Sequence, residues 1–327
     1  MHIIRIAAVS YVPPPHDHHG KGVNLDPLAE VVRRVAREEK PDFICFPETC
    51  ACAGPLEQAL GRAPALEPFI AEVGKLAREV RAALIVPTLE RAHNNVYNSV
   101  PVVDASGKLV FVYHKNYLTI NTFVDSHMKI DEGEIEAGIT PGVEVPVAEC
   151  GGVRVGAAVC YDAHFSQVAA ELECGRARVV FWPSMFWGGR LLEHWALRYG
   201  FYVVVAFQNE SAIIDMSGRY LVRGGTDTFQ VRGRRLPPWA VAEVNADREL
   251  FHLNSIQDKF AAIRQKYGSG VEIDVCQPEA SCLLASRRPD VTVEQIEQEF
   301  RLETMRDYLA RSIKVRDHAL RTHGRKD

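Results

Sequence analysis

The sequence predicts an α/β domain in which mixed β-sheets are covered by helices. Short apolar runs alternate with longer segments whose apolar residues recur every three or four positions, as in helices that pack on a sheet. Several of the runs stop at a proline or a charged residue, and others form pairs joined by a polar turn, which is typical of antiparallel hairpins. Since no segment of roughly 20 to 50 residues repeats, a solenoid is excluded.

The N-terminal part predicts strands and helices in alternation. "MHIIRIAAVSYV" indicates a buried first strand, and Asp26 before Pro27 indicates the capped start of a helix with one apolar face, formed by Leu28, Val31, Val32 and Val35. "DFICFPE" is then a short strand stopped by Pro47. A second helix follows, with apolar residues Ile70, Val73, Leu76, Ala77 and Val80, and it leads into the strand "AALIVP".

Beyond this point hairpin signals join the alternation. "NSVPVVDASGKLVFVYHK" contains two strand-like runs joined by a polar turn from Asp104 to Lys108. "VRVGAAVC" is another apolar strand, which precedes a helix around Val168 to Leu172 ended by Gly175. "ARVVFWPS" and "FYVVVAFQ" are buried strands, and "SAIIDMSGRYLV" predicts a second hairpin turn near Gly218. Parallel and antiparallel strands are therefore expected in the same sheets.

The C-terminal segment differs from the rest in composition. From about Glu294 the chain is highly charged, and an apolar stripe at helical spacing runs through Leu302, Met305, Leu309 and Ile313. We predict a domain over residues 1–293 and a C-terminal helical extension over 294–327. The stripe packs either on its own domain or on a second copy of the chain, and the prediction is a homodimer or larger homo-oligomer.

Composition excludes several classes of protein. The 327 residues are 47% hydrophobic, so they can bury one large core or two smaller ones, and the net charge of −4 provides no basic field for nucleic acid. No apolar run reaches the roughly 20 residues that span a bilayer. The eight cysteines lack paired CxxC spacing, which favours a reduced, cytoplasmic protein over a disulfide framework or a zinc site.

Cys160 lies where the run "GAAVC" meets "YDAHF", and two interpretations compete. A free cysteine at a strand end is commonly a compact core residue. As a nucleophile it would need a base and a group that stabilises developing charge. Two other apolar strands also end in reactive residues, since "FICFPE" leads to Glu48 and "KLVFVYHK" to Lys115. Because catalytic groups gather at strand ends in α/β proteins, these three residues are the predicted catalytic set.

On these residues the chain resembles the nitrilase superfamily of carbon–nitrogen hydrolases, which have a Glu-Lys-Cys triad. The resemblance covers about residues 3–290 and includes "FPET", "YNSVPVVDASGKLVFVYHK", "TPG" and "GAAVCYD", followed by "WPSMF", "SAIIDMSGRYL" and "SRRPD". It implies a four-layer α-β-β-α sandwich with mixed sheets, in subunits that pair through their helical faces.

The resemblance also implies a role for each member of the triad. Glu48 is the general base that takes the proton from Cys160, whose thiolate attacks a carbonyl or nitrile carbon. Lys115 and a backbone amide after the cysteine stabilise the negative charge that develops. Ammonia or an amine leaves, and water activated by Glu48 hydrolyses the resulting thioester. The chemistry requires no metal and no organic cofactor.

Relatives often carry a second glutamate between the lysine and the cysteine. The segment "DEGEIEAGITPG" offers Glu132, Glu134 and Glu136. Spacing to Gly142 makes Glu134 the first choice, with Glu136 close behind. The alternative is that these residues form a solvated acidic loop.

The substrate-binding residues are less well defined. Phe165, Ser166 and Gln167 stand where many relatives have Phe-Pro-Glu, and Arg198 stands where a glutamate often occurs. Tyr161, Phe186 and Arg198 are predicted to position the substrate, with Phe181, Trp182, Phe186 and Trp187 as an apolar wall. Arg198, or Arg190, would bind a substrate carboxylate, whereas the alternative for Arg198 is a structural ion pair.

"CYD" is similar to the amidase and carbamoylase branches, whereas nitrilases more often have Trp-Glu after the cysteine. The predicted activity is hydrolysis of small linear amides or N-carbamoyl compounds. Nitrile hydrolysis is one alternative, and a non-catalytic binding or scaffold protein on the same fold is another. Thiol redox chemistry lacks a resolving-cysteine motif.

The segment "HDHHG", His16 to Gly20, is the one apparent metal-binding motif. It follows three prolines, and adjacent histidines do not converge on one ion without ligands from elsewhere. We therefore predict a solvated loop near the mouth of the site rather than a metal centre.

Overall fold

The computed structural model describes residues 1–13, 25–52, 56–120, 135–225, 230–231, 234–235 and 237–323. These residues form two compact units. The larger contains residues 4–197 and 201–244, and the smaller contains residues 1–3, 198–200 and 245–327. The predicted division after residue 293 stays a prediction.

The larger unit is built from fifteen strands and five α-helices among the described residues. The strands are β1 (Ile3–Val9), β2 (Phe43–Cys45), β3 (Ala83–Ile85), β4 (Thr88–Ala92), β5 (Asn95–Val103), β6 (Leu109–His114), β7 (Val147–Cys150), β8 (Val153–Ala157), β9 (Val179–Ser184), β10 (Tyr202–Phe207), β11 (Glu210–Ile214), β12 (Tyr220–Gly225), β13 (Gln230–Val231), β14 (Arg234–Arg235) and β15 (Trp239–Asn245). The helices are α1 (Asp26–Glu39), α2 (Leu56–Gly61), α3 (Leu66–Val80), α4 (Ser166–Cys174) and α5 (Arg190–Tyr199).

Two mixed sheets form the centre of this unit. The first has the strand order β15-β1-β2-β3-β5-β4, with β6 paired to β5, and the second has the order β12-β11-β10-β9-β8-β7. Strands β1, β2 and β3 are parallel, whereas β5 is antiparallel to β3, β4 and β6. In the second sheet β8, β9 and β10 are parallel and β11 is antiparallel to β10. The prediction of mixed sheets is confirmed.

Alternation along β2 shows how the layers are stacked, because successive strand residues face opposite sides of a sheet. Ile44 packs in a core shared with α1 and α3, whereas the ring of Phe43 lies 5.6 Å from that of Phe181 on the second sheet. On the far side of the second sheet, Leu172 of α4 lies directly over Gly156 of β8. The order is helix, sheet, sheet, helix, so the four-layer prediction is confirmed.

One local expectation was wrong. Asp26 does not cap α1, because it is the first residue inside the helix and Leu25 occupies the cap position without a side-chain hydrogen bond. The acidic side chain still lies in the first turn, where it interacts favourably with the positive end of the helix dipole. The segment "RLLEHW" begins α5, which buries Leu192, Trp195 and Ala196.

The smaller unit has a three-stranded antiparallel sheet in the order β16-β18-β17, and its elements are β16 (Arg248–His252), α6 (Leu253–Ile256), α7 (Phe260–Tyr267), β17 (Val271–Cys276), β18 (Ser281–Ser286), α8 (Val293–Phe300) and α9 (Met305–His323). The predicted stripe from Leu302 to Ile313 is not one helix face. Arg301 adopts a left-handed φ of 52° that ends α8, and Leu302 packs in the core of this unit. On α9, Ile313, Val315 and Leu320 are exposed. Among the described residues, no helix is both long enough and apolar enough to cross a membrane.

Candidate active site

Glu48 lies just beyond the carboxyl end of β2. The parallel pairing of β1, β2 and β3 holds this end in the centre of the first sheet, and Phe46 continues it by donating its N–H to the carbonyl of Ile85. Thr49 then takes a left-handed φ of 51°, so the chain turns sharply after Glu48. The glutamate side chain is therefore carried on a rigid strand end and is buried.

Lys115 directly follows β6. Since β6 runs antiparallel to β5, and β5 antiparallel to β3, β6 ends at the same edge of the sheet as β2. Its N–H donates to Asn98 O, and its carbonyl accepts the N–H of Gly142 at 2.8 Å. A side chain at position 142 would place its Cβ 2.3 Å from His114 O, which explains the glycine of "TPG".

Cys160 is the first residue of a 3₁₀ helix (residues 160–164) that follows β8. Its φ is 48°, in the left-handed region, which costs roughly 1–2 kcal/mol for a residue with a side chain. Backbone strain of this kind persists only where surrounding contacts fix it, and it concentrates at functional sites. The cysteine therefore sits on a sharp turn at the end of a buried strand.

The structure brings Glu48, Lys115 and Glu136 into direct contact. Lys115 Nζ donates to Glu48 Oε1 at 2.9 Å and to Glu136 Oε2 at 2.8 Å. The Lys115 and Glu48 side chains are only 1% and 2% exposed, so water screens this pair poorly. Burial by itself would lower the pKa of Lys115, but the charges of Glu48, Cys160 and Glu136 outweigh it and raise that pKa. Lys115 is therefore a fixed cation.

The two oxygens of Glu48 have different environments. Oε1 accepts from Lys115 Nζ and from Asn98 Nδ2, the latter at 2.8 Å. Oε2 is buried and has no hydrogen-bond partner among the residues the structure describes. One oxygen of Glu48 is thus held by two donors, and the other is held by none among the described residues.

Cys160 lies within the electrostatic field of both residues. Burial and then the carboxylate of Glu48 raise the pKa of the Cys160 thiol to about 12, while Lys115, the N–H of Met185 and the side chain of Ser184 act in the opposite direction. The resting thiol is therefore protonated near neutral pH. Glu48 is the one carboxylate among the main influences on the pKa of this thiol.

The other predicted site residues have varied positions. Glu134, the first choice for the second glutamate, lies outside the described residues together with Glu132, whereas Glu136 contacts Lys115. Tyr161 and Phe186 are partly buried, and each ring contacts that of His164. Their predicted roles are not tested by these positions.

Arg198, at the end of α5, holds its guanidinium 4.9 Å over the ring of Tyr199 within the smaller unit, and its role stays a prediction. Phe181 and Trp182 are completely buried on β9, the former against Phe43 between the sheets, and the predicted aromatic wall stays a prediction. Phe186 and Trp187 remain partly exposed.

Across the described ranges, no three His, Cys, Asp or Glu side chains are arranged to hold an ion. The "HDHHG" segment lies outside those ranges. Cys50 and Cys52, near Glu48 in sequence, are buried, and Cys52 Sγ accepts the N–H of Leu89 at 3.2 Å.

Sequence reasoning assigned no role to three further residues. Asn98 donates to Glu48, Ser184 contacts Cys160, and Asp162 accepts hydrogen bonds from both sides of the site. Each lies within a motif that carries the family resemblance, namely "YNSV", "WPSMF" and "CYD". The motifs indicate the family, but only the fold shows which atom each side chain contacts.

The chain is similar in sequence to several amidases. The chain is 26% identical over 162 residues to an N-carbamoylputrescine amidase of Solanum tuberosum, which covers 48% of this chain and 51% of that protein. It is 25% identical over 117 residues to the N-carbamoylputrescine amidase of Arabidopsis thaliana, covering 36% of each chain. It is 26% identical to a 2-oxoglutaramate amidase of Bacillus subtilis, over 43% of this chain and 57% of that one. The matched segments thus span between about a third and just over half of these relatives.

Solved structures share the fold over a longer stretch. An amidase from Nesterenkonia sp. AN1, with acrylamide added to its active-site cysteine, superposes with a TM-score of 0.60 at 19% identity, covering 81% of this chain and 99% of that one. A Saccharomyces cerevisiae member of branch 10 of the nitrilase superfamily gives a TM-score of 0.59 at 17% identity, covering 81% and 94%.

The sequence pattern of one family matches most of the larger unit. The match runs over residues 6–243, which include the buried Glu48–Lys115 pair and the turn that carries Cys160. Because it covers more than half of the chain, the protein belongs to the carbon–nitrogen hydrolase family.

Proposed function

We propose that this chain hydrolyses the C–N bond of small linear amides or N-carbamoyl compounds through a thioester on Cys160. The observation that carries the proposal is the buried Glu48–Lys115 pair, whose charges both act on the Cys160 thiol while Glu48 Oε2 accepts no hydrogen bond from any described residue. A nucleophile, a base and a fixed cation are the three groups that acyl transfer requires.

In the acylation half-reaction, Glu48 Oε2 takes the thiol proton as Cys160 Sγ forms a bond to the substrate carbonyl carbon. Negative charge develops on the carbonyl oxygen, and Lys115 Nζ and the N–H that follows Cys160 stabilise it. As the tetrahedral intermediate collapses, the C–N bond breaks and the nitrogen leaves with the proton held by Glu48. The products of this stage are ammonia or an amine and a thioester.

In the deacylation half-reaction, Glu48 accepts a proton from water as the water oxygen attacks the thioester carbon. The same cation stabilises the second oxyanion, and the C–S bond then breaks. The proton held by Glu48 returns to Cys160 Sγ, so the enzyme is regenerated. An amide yields a carboxylic acid, whereas a carbamoyl compound yields a carbamate, which loses carbon dioxide.

Glu136 is proposed as the second glutamate of the site. Its Oε2 accepts from Lys115 Nζ at 2.8 Å and from the N–H of Thr119 at 3.3 Å. With Glu48 on the other side, the ammonium group is held between two carboxylates. This arrangement fixes the position of the cation before the oxyanion forms. Such preorganisation stabilises the transition state, because no group has to move as the charge develops.

For the substrate, we propose a carbonyl rather than a nitrile. The relatives are named as amidases of N-carbamoylputrescine and 2-oxoglutaramate, and both names denote carbonyl substrates. Tyr161 and Phe186 are proposed to contact the substrate, because Tyr161 follows Cys160 and Phe186 donates its N–H to Ser184 Oγ, whose side chain contacts Cys160. Arg198 or Arg190 is proposed to bind a carboxylate at the far end of an anionic substrate.

An ammonia-release screen over amides, N-carbamoyl amino acids, N-carbamoyl amines and nitriles tests this function. We expect kcat/KM at least about tenfold higher for a carbonyl compound than for the matching nitrile. A nitrile preferred over its amide would move the chain to nitrile hydrolysis and leave Cys160 as the nucleophile. A folded protein that releases ammonia from none of them, and whose Cys160 does not react with iodoacetamide, would be a non-catalytic binding or scaffold protein.

Assembly and compartment are proposed on separate grounds. The exposed Ile313, Val315 and Leu320 of α9 favour contact with a second copy, so we propose a homodimer or larger assembly. All eight cysteines lie in described ranges as free thiols, which fits the reducing cytoplasm. Truncation before Arg301 should lower the number of subunits per particle measured by sedimentation. An unchanged number of subunits would show that α9 does not mediate assembly.

A further inference from the structure

We infer that Asp162 is a positioning residue that fixes Cys160 relative to Lys115 for the proposed hydrolysis. Asp162 is two residues after the cysteine and is completely buried. It reaches neither the thiol nor the ammonium group through a hydrogen bond in the described structure. Its carboxylate instead joins the segment that carries each of them.

The carboxylate accepts three hydrogen bonds from three different segments. Oδ2 accepts the N–H of Val159, the residue before Cys160, at 2.8 Å, and the hydroxyl of Tyr113 on β6 at 2.7 Å. Oδ1 accepts the N–H of Tyr117, two residues after Lys115, at 2.8 Å. One rigid group therefore ties the turn of the nucleophile to both flanks of the lysine.

The hydrogen bonds of Asp162 lie next to the strained backbone of Cys160. Cys160 holds a left-handed φ of 48° between Val159 and Asp162, and the Asp162 side chain closes that turn on Val159 N–H. The Asp162 N–H donates to Val159 O at 2.9 Å and closes the same turn from the main chain. Lys115 lies in the segment that follows β6, and the Asp162 carboxylate is bonded to that segment as well. The carboxylate therefore sets the distance between Cys160 Sγ and Lys115 Nζ, which must act together on one carbonyl.

The charge of Asp162 supports this role at neutral pH. Burial raises the pKa of Asp162 to about 6, although the hydrogen bonds from Tyr113, Tyr117 and Val159 and the charge of Lys115 act against that rise. The group is therefore ionised at pH 7 and uses both oxygens as acceptors. Burial and the neighbouring Asp162 raise the pKa of Tyr113, so its hydroxyl remains a donor.

Asp162→Asn tests the inference with little change in volume. An amide can accept on only one side, so its NH₂ group must face either Tyr117 N–H or the donors on Oδ2. We expect kcat to fall about 30- to 100-fold with KM within about threefold, because small displacements of reacting groups are costly. Alkylation of Cys160 by iodoacetamide should fall much less than kcat, by no more than about threefold, since that reaction forms no oxyanion for Lys115 to stabilise.

Asp215→Asn is the matched control. Asp215 is also a buried turn aspartate, and its Oδ2 accepts from Ser217 Oγ at 2.6 Å. It follows β11, which runs antiparallel to β10, whereas β8, which leads to Cys160, runs parallel to β9 and β10. Asp215 is therefore at the opposite edge of the sheet, and its substitution should leave kcat within about threefold.

Three outcomes would overturn the inference: unchanged kcat in Asp162→Asn, alkylation that falls in parallel with kcat, or an equal loss in Asp215→Asn. If Asp162→Asn does not fold, Tyr113→Phe decides, because it removes one support of the carboxylate. It should lower kcat about threefold to tenfold without changing KM or alkylation, and an unchanged kcat would overturn the inference. The inference rests on the proposed function. Failure of the proposed function would be recognised separately, because wild type would then hydrolyse none of the screened compounds.

Discussion

Two acid–base clusters lie side by side on strands β5 and β6. In the first, buried Glu48 accepts from Asn98 and Lys115, and in the second, Glu90 accepts from Ser99 Oγ at 2.8 Å and contacts His114 Nε2 at 2.9 Å. Because neighbouring strand residues face opposite sides, Asn98 and Ser99 direct their side chains to different clusters. The same two strands thus build a glutamate–cation pair and a glutamate–imidazole pair.

The clusters differ in burial and in what they face. The Lys115 side chain is 1% exposed and acts on the Cys160 thiol, whereas that of His114 is 31% exposed and stacks 4.4 Å from the ring of Tyr97. Burial by itself would raise the pKa of Glu90, but His114 and Ser99 hold it below its ordinary value. We therefore expect chemistry only where a glutamate and its basic partner are desolvated beside a nucleophile.

The largest effect is expected from the nucleophile. Cys160→Ala should reduce turnover at least about 10⁴-fold, because the thioester cannot form. The melting temperature should stay within a few degrees of wild type, since the change removes one sulfur atom and leaves the Glu48–Lys115 pair and the hydrogen bonds of Asp162 in place. Steady-state ammonia release and a thermal melt measure the two quantities. Appreciable turnover in Cys160→Ala would sink the mechanism.

Glu48→Gln and Glu90→Gln compare the two clusters directly. The first removes the base and should lower kcat about 10³-fold. The second should leave kcat within about threefold, although losing the contact with His114 destabilises the fold by about 1–2 kcal/mol. Ammonia release and urea unfolding separate these effects. Equal losses of activity would mean that the two clusters act as one network.

Lys115→Met and His114→Gln repeat the comparison on β6. Lys115→Met removes the cation that stabilises the oxyanion and should lower kcat about 10²- to 10³-fold. His114→Gln keeps a hydrogen-bond donor for Glu90 and should change kcat less than about threefold. The same assay measures both variants. A large loss in His114→Gln with a normal melting temperature would give the second cluster a catalytic role.

A smaller effect concerns stability at high pH. The Cys160 pKa is about 12 in the folded chain against 9.0 ordinarily, so above pH 9 the unfolded chain loses a proton that the folded chain keeps. Stability therefore falls as pH rises from 9 towards 12. Between about pH 7.5 and about pH 10, wild type should lose about 1.4 kcal/mol more than Cys160→Ala in urea unfolding under reducing conditions. Equal losses would show that the thiol ionises normally.

The smallest expected effect is that of metal removal. The proposed chemistry uses only Cys160, Glu48 and Lys115 with a backbone amide, so exhaustive EDTA treatment should leave kcat/KM unchanged within error. The assay is ammonia release before and after dialysis. A loss that zinc restores would give the "HDHHG" segment a role and require a different mechanism.

The sequence by itself determined the framework of this protein. Helical periodicity predicted α1 and α3, and apolar runs ended by Pro47, Lys115 and Cys160 predicted the strand ends, because both signals depend on which side chains must be buried. The mixed sheets followed from hairpin turns among alternating elements. These features are local, or repeat at a fixed period, so one chain contains enough information to predict them.

Only the tertiary structure decided the rest. Glu136 was one of three acidic candidates in a loop, where no period sets the direction of a side chain, and its contact with Lys115 depends on where the loop returns to β6. The left-handed turns at Cys160 and Arg301 do not fall on glycines, so neither the backbone strain at Cys160 nor the break between α8 and α9, in which Leu302 lies, was predicted. The ties made by Asn98, Asp162 and Ser184 join residues distant in sequence, and only packing brings their atoms within reach.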